Sequence, residues 1–255
     1  MPDAIIDAIN HARINRTNIS FDNLRDLAGV DNKCWPQLGR GRALLTSFEQ
    51  LDQYLYSYGL MTKSQWSSFL PGINLPTGKL RITDYGCGQG LGSVLLFDHF
   101  GLSLPGRVEE IKLIEPSSVA LGRAKAVVNC YLGTQSAVTI NKKLDDLSTS
   151  DMKVTGTLPH IHLLSNVLDI NDFDHGKLFS RMFQNVGHHI VLAVSHDRNF
   201  EGGSQRFEQL ESEIKKPEHS KWISVTSSKI TKFNCSGNQP AISWDLRVEV
   251  LSGPI

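Results

Sequence analysis

Apolar residues first recur along this chain at helical spacing. Ala4, Ile5, Ala8, Ile9 and Ala12 fall three and four apart, and a short second segment runs from Asn23 to Ala28, closed by Gly29. The strongest pattern spans Arg42 to Met61, where Leu44, Leu45, Phe48, Leu51, Leu55 and Tyr58 share a helical stripe. Gly59 is expected to end or bend that helix. Pro71, Gly72, Pro76 and Gly78 then mark a linker.

Beyond the linker the period changes. Short apolar runs at Leu80–Tyr85, Glu110–Glu115, Ala137–Asn141, Ile161–Ser165 and Ile190–Ser195 read as strands. Helical stretches at Leu91–Phe100, Val119–Tyr131, Asp174–Asn185 and Gln205–Lys215 separate or follow them. This alternation predicts an α/β fold, a mostly parallel sheet with helices on both faces. Trp222–Phe233 and Ala241–Leu251 are long alternating runs joined by Asn234–Pro240. That joint is too short for a parallel crossover, so an antiparallel terminal strand pair is expected. The N-terminal helical segment precedes this sheet, with a division at residues 1–75 and 76–255.

Composition narrows the class. The chain has 255 residues, 40% hydrophobic and 20% charged, an ordinary globular balance. Its 26 basic and 26 acidic residues cancel, and residues 1–75 and 201–255 are each balanced as well. A protein gripping duplex DNA through phosphates carries a basic excess or stripe, so duplex DNA is not an expected partner. Cys34, Cys87, Cys130 and Cys235 contain no C-x-x-C pair, so no metal centre is expected and the cysteines read as free thiols. The first residues lack a secretory apolar core, and no run is long enough to span a membrane. A reducing, cytoplasmic setting is the expectation.

The most specific feature is Asp84-Tyr85-Gly86-Cys87-Gly88-Gln89-Gly90-Leu91-Gly92, between the first strand and its helix. Bare backbone above a helix N-terminus lets a ligand lie close. In an open α/β sheet such ligands sit beyond the carboxyl ends of strands. The dinucleotide pattern G-x-G-x-x-G fails in both registers, since its sixth place is Leu91 or Ser93. The phosphate loop G-x-x-x-x-G-K-[ST] fails too. What remains is an acid followed by alternating glycines. A carboxylate there repels pyrophosphate and suits a cationic amino group.

In these residues the chain resembles the class I S-adenosylmethionine-dependent methyltransferases, over roughly residues 79–251. The resemblance implies a Rossmann-like sheet, a methyltransferase activity and S-adenosyl-L-methionine as cofactor. It places the methionine end of the cofactor on Asp84, Gly86, Cys87, Gly88 and Gly90. It assigns the ribose hydroxyls to Glu115 at the end of the second strand, where two acceptor oxygens are the chemistry required. It assigns the adenine amino group to an acid after the third strand, Asp145 in preference to its neighbour Asp146. It gives residues 76–255 the cofactor domain, and the N-terminal helices of residues 1–75 are expected to form a lid or substrate segment.

The fourth strand ends in Ser165-Asn166-Val167-Leu168-Asp169, where the resemblance puts the active centre. Asn166 is the candidate there for both cofactor contact and catalysis. The N-P-P-Y and Pro-Cys signatures of two nucleic-acid methylation chemistries are absent. His160, His162, His188 and His189 sit at strand starts, away from the ligand edge, and read as structural. His196 follows the fifth strand at the ligand edge and is the candidate general base. Tyr54, Tyr58 and Trp66 are candidates for an aromatic wall on the acceptor side. The acceptor is expected to be a small molecule or a protein. RNA is the alternative substrate, because single-stranded recognition rests partly on stacking. A cofactor-binding regulatory or assembly module without catalysis is the other alternative.

Overall fold

The computed structural model describes residues 3–30, 32–170, 173–197 and 205–252. Seven strands form one sheet in the order β3-β2-β1-β4-β5-β7-β6. In chain order these are β1 (Leu80–Tyr85), β2 (Val108–Ile114), β3 (Val138–Ile140), β4 (His160–Ser165), β5 (Gly187–His196), β6 (Ile223–Cys235) and β7 (Gln239–Val250). The first five are mutually parallel, and β7 runs antiparallel to both β5 and β6. The chain moves outward from β1 to β3 and returns to β4 on the other side of β1. That reversal opens a crevice at the carboxyl ends of β1 and β4.

Both sheet faces are covered, as the continuous apolar strands require. Ile82, Leu113, Ile161, Leu163, Ile190 and Leu192 join the core on one face. There lie α4 (Leu91–Phe100) and α5 (Ser118–Leu132), with α1 (Ala4–Asn10), α2 (Phe21–Leu27) and α3 (Phe48–Phe69) from the N-terminal segment. Side chains Ile5, Phe21, Leu55 and Trp66 belong to this same core. On the other face, Tyr85, Ile114, Leu164 and Val191 pack with Leu178, Phe179 and Phe207. Those come from α7 (His175–Met182) and α8 (Gln205–Ile214); the short α6 (Thr149–Met152) borders them. Among the described residues no helix is long and apolar enough to cross a membrane.

The N-terminal segment differs from its sequence reading in one helix. The pattern predicts a helix from Arg42 to Met61; α3 instead begins at Phe48 and runs to Phe69. Ser47 sets the start, its hydroxyl accepting from the Gln50 N–H at 3.3 Å. Residues Asn32–Gly41 form a 3-10 segment, and the chain between it and Ser47 is irregular. Gly59 does not end the helix. A Cβ there would lie 3.1 Å from Phe21 Cζ, so the glycine lets α2 approach α3 closely.

A buried ion network ties this segment to the sheet domain. Arg123 of α5, 1% exposed, donates from Nε to Asp3 Oδ2 at 2.7 Å and from Nη1 to Gln89 Oε1 at 3.0 Å. Its Nη2 pairs with Asp52 Oδ1 of α3 at 2.8 Å. Asp3 also caps α1, accepting from the Ile5 and Ile6 N–H groups. Gln89 lies in the turn after β1 and donates to the Leu51 carbonyl at 3.0 Å. One guanidinium therefore joins α1, α3, α5 and the glycine turn.

Candidate functional site

Three glycines shape the turn between β1 and α4, each with positive φ: Gly86 at 58°, Gly88 at 53° and Gly90 at 88°. Two are fixed by packing as well. A Cβ on Gly86 would stand 3.0 Å from Val167 Cγ2, and one on Gly90 would stand 3.3 Å from Ala124 Cα in α5. Gly88 differs, since a Cβ there would meet nothing within 4 Å. Its bare backbone faces open space, as a ligand-facing turn requires. The bend is held by Cys87 N–H on the Ile114 carbonyl at 3.0 Å and Gly90 N–H on the Cys87 carbonyl at 2.8 Å. Burial pushes the Cys87 thiol well up, so it stays protonated.

The turn forms one wall of a cavity of about 420 Å³ at the ends of β1 and β4. That volume lies within the roughly 300–1,000 Å³ of small-ligand sites. Gly86, Cys87, Gly88, Glu115, Asn166 and Tyr54 all line it. Glu115 is 9% exposed, and each carboxylate oxygen accepts one backbone bond: Gly88 N–H at 3.0 Å and Ser117 N–H at 2.9 Å. Each oxygen keeps a second acceptor site for a ligand donor. Burial raises this carboxyl above its ordinary range, opposed by those two backbone bonds.

Asp84 stands behind the wall rather than in it. It is fully buried, and its Oδ2 accepts from the Ser93 hydroxyl at 2.7 Å and the Ser93 N–H at 3.2 Å. Its Oδ1 has no hydrogen-bond partner among the described residues. Burial pushes the group up to about 7. Between Asp84 and the cavity stands Gly92, a lining residue whose missing Cβ would lie 3.5 Å from Oδ2 and 3.6 Å from Oδ1. A larger residue at that helical position would close this approach to the carboxylate.

Asn166 follows β4 in a left-handed conformation, φ 56°, held by its N–H on the Val194 carbonyl at 2.8 Å. Gln65 of α3 exchanges two amide bonds with it, at 3.1 and 2.8 Å. The next residue, Trp66, is fully buried and donates from its indole to Ser165 Oγ at 3.0 Å. These bonds set α3 across the carboxyl end of β4. Tyr54 faces the cavity, and burial, then the nearby Asp169 charge, pushes its phenol up to about 12, so it remains a donor.

The remaining sequence candidates lie outside the cavity lining. Tyr58 packs 5.2 Å from the Tyr54 ring, behind it. Asp145 accepts the Asp174 N–H at 2.9 Å and so braces the start of α7, and Asp146 is exposed. Lys143 and Leu144 from the same loop line the cavity instead. His196 ends β5 opposite Ala241 of β7 and does not line the cavity. Gly92 of the glycine run lines the cavity, and Thr62 and residues 43–45 line it without any sequence signal of a site. The latter depend on where α3 crosses the sheet, which no local spacing encodes.

The chain matches no protein-family model and no curated protein. Similar solved structures include a SAM-dependent methyltransferase from Leishmania major, 15% identical, TM-score 0.46, covering 83% of this chain and 82% of that one. The magnesium protoporphyrin IX methyltransferase of Synechocystis PCC 6803 is 14% identical at TM-score 0.43, over 88% of this chain and 99% of that one. An rRNA methylase from Streptococcus thermophilus is 15% identical at TM-score 0.43, over 75% of this chain and 96% of that one.

Proposed function

We propose that this chain is an S-adenosylmethionine-dependent methyltransferase acting on a small-molecule or protein acceptor. The observation that carries the reading is a pair of carboxylates around one cavity with unused acceptor capacity. Glu115 offers one free site on each oxygen, and Asp84 Oδ1 stands unpartnered behind a residue without a side chain. The first suits vicinal ribose hydroxyls; the second suits an ammonium. A dinucleotide would bring its pyrophosphate against Asp84, which the charge opposes.

When bound, the cofactor supplies an electrophilic methyl group on a sulfonium. The chain's part is placement. Gly86 to Gly90 offer backbone to the methionine portion, and Glu115 fixes the sugar. Residues 1–75 act as the lid, with Tyr54 donating a hydrogen bond into the cavity and α3 excluding water over β4. Alignment of acceptor, methyl and sulfur can supply much of the rate, so a dedicated base is not required. One feature favours binding without catalysis: both amide groups of Asn166 and Gln65 are already paired with each other. Incubating the chain with methyl-labelled cofactor and separate small-molecule, protein and RNA fractions tests the reading. Labelled product in any fraction supports an enzyme, and its fraction identifies the acceptor class. Tight binding with label in none supports the module.

Two variants probe Asp84. Gly92→Ala places a methyl group between the carboxylate and the cavity, 3.4 Å from Ser165 Cβ, an ordinary contact. At the second residue of α4 the exchange gains less than the roughly 1 kcal/mol of a helix interior. The expected result is a chain at least as stable as wild type that binds cofactor at least about tenfold more weakly, the loss of one charge-assisted bond. Calorimetric titration with S-adenosylhomocysteine measures it; unchanged affinity would place the ammonium elsewhere.

The second test is pH dependence. Without ligand, Asp84 is protonated below about 7. A ligand ammonium beside it favours the ionised form and lowers its pKa, so binding costs more where the proton must first leave. Affinity should therefore fall with decreasing pH below about 7, approaching tenfold per unit. Asp84→Asn should flatten this part of the profile. A wild-type profile identical to that of the asparagine variant argues against the contact.

A further inference from the structure

Three buried imidazoles occupy the opposite end of the sheet from the cavity. His160 and His162 are two apart on β4 and so share a face, and His189 of β5 pairs in register with His160. Their exposures are 2%, 0% and 2%. Each offers a ring nitrogen within 4.8 Å of the other two.

The second nitrogen of every ring rests on an oxygen. His160 Nε2 lies 2.8 Å from Thr83 Oγ1, His162 Nδ1 lies 2.9 Å from the Tyr85 hydroxyl, and His189 Nε2 lies 2.8 Å from the Asn185 carbonyl. The nitrogens left over are His160 Nδ1, His162 Nε2 and His189 Nδ1. Of these, His162 Nε2 and His189 Nδ1 are 2.9 Å apart, and His160 Nδ1 has no partner among the described residues. A hydrogen-bonded chain explains two rings but leaves a buried nitrogen unsatisfied, a costly arrangement. Outer nitrogens braced by oxygens, with one nitrogen of each ring left for a cation, are what metal-binding histidines need.

We propose that His160, His162 and His189 form a three-histidine zinc site that staples β4 to β5, with water in the fourth position. Three neutral imidazoles suit zinc, whose nitrogen ligands stand about 3.3 Å apart when tetrahedral at 2.0–2.1 Å from the metal. Binding moves the His162 and His189 nitrogens apart by a few tenths of an ångström and turns the His160 ring from its stack on His162. The proton count stays fixed. The Asn185 carbonyl requires a proton on His189 Nε2, so His189 Nδ1 accepts from His162 Nε2–H in the empty site. The His162 proton passes from Nε2 to Nδ1, where it faces the Tyr85 oxygen, zinc takes the Nε2 lone pair so freed, and the Tyr85 hydroxyl turns its own proton to Thr83 Oγ1.

The surroundings keep the ligands neutral. Burial lowers all three histidines, and Arg81 and Lys112 on neighbouring strands add to the effect at His160. Those cations are themselves turned to carbonyls, Arg81 to Thr155 and Gly156 and Lys112 to Asp151 and Lys153. Phe183 covers the cluster from beside α7, its ring 6.0 Å from His162 and 5.7 Å from His189.

The test loads the full chain with zinc chloride, dialyses it against a weak chelator and measures bound metal by mass spectrometry. His160→Gln keeps an amide for Thr83 and removes one ligand. His219→Ala dismantles the exposed Glu213, Glu218 and His219 group, the other cluster with metal-ligating side chains among the described residues. Wild type and His219→Ala should each retain about one zinc per chain, and His160→Gln should bind it at least about tenfold more weakly. No retained zinc in wild type, equal affinity in His160→Gln, or loss in His219→Ala overturns the site. Should His160→Gln fail to fold, X-ray absorption of zinc-loaded wild type decides. Three imidazole nitrogens near 2.0 Å support the site, and carboxylate or thiolate ligation overturns it.

Discussion

Replacing Arg123 by methionine is expected to cost about 3–5 kcal/mol of stability, the usual result of breaking a buried ion pair from one side. The side chain is 1% exposed and holds Asp3, Asp52 and Gln89 at once. Methionine fills a similar volume, so packing loss is small and the deficit is electrostatic. Asp3, buried, and Asp52, half-buried, would be left as carboxylates without their cation. Asp52 already sits above its ordinary range because burial outweighs the Arg123 charge, and losing that charge raises it further. Urea unfolding of the two proteins measures the effect. A loss below about 1 kcal/mol would mean that the carboxylates reach water and the network is superficial. Adding Asp3→Asn and Asp52→Asn to the methionine variant should recover part of the loss, since the stranded charges are its cause. The same variant removes one of the two side-chain bonds of Gln89, so its glycine turn should also bind ligand more weakly than wild type.

The sheet was legible because its signals are local. Strand β1 and helix α4 fall at the residues their patterns predict, Leu80–Tyr85 and Leu91–Phe100, since buried parallel strands are continuous apolar runs bounded by turns. Glu115 was legible for the same reason: it is the first residue after β2, beside the turn that β1 delivers. Contacts between distant segments were not. Gln65 meets Asn166 and Trp66 meets Ser165 across about a hundred residues, and only the packing of α3 brings them together. The apolar pattern starts this helix too early because Leu44 and Leu45 continue its period. Ser47 interrupts the backbone pattern without interrupting that period. His160, His162 and His189 were each visible as strand-start residues, but their meeting depends on the register of β4 against β5.

Removing the Glu115 carboxylate is expected to weaken cofactor binding by about 10²–10⁴-fold. Two charge-assisted bonds to ribose hydroxyls, each about 1.5–3 kcal/mol, account for that range. Glu115→Ala also releases the Gly88 and Ser117 N–H groups, so part of the loss comes from a less ordered turn. Glutamine is the sharper variant. Both carboxylate oxygens face a backbone N–H, so a glutamine amide must aim its NH2 group at one of those donors. Glu115→Gln should therefore fall closer to alanine than its shape suggests. Stability is expected to fall by about 1–3 kcal/mol in either variant, because the buried Ser117 N–H or its Gly88 counterpart loses its acceptor. Ribose contact can be separated from turn disorder by pairing each protein with S-adenosylhomocysteine and its 2′,3′-dideoxy analogue. If Glu115 holds the hydroxyls, the analogue binds wild type weakly but loses little more on alanine substitution, and the two changes are not additive. Full additivity would assign Glu115 to the turn alone and leave the ribose without its proposed partner.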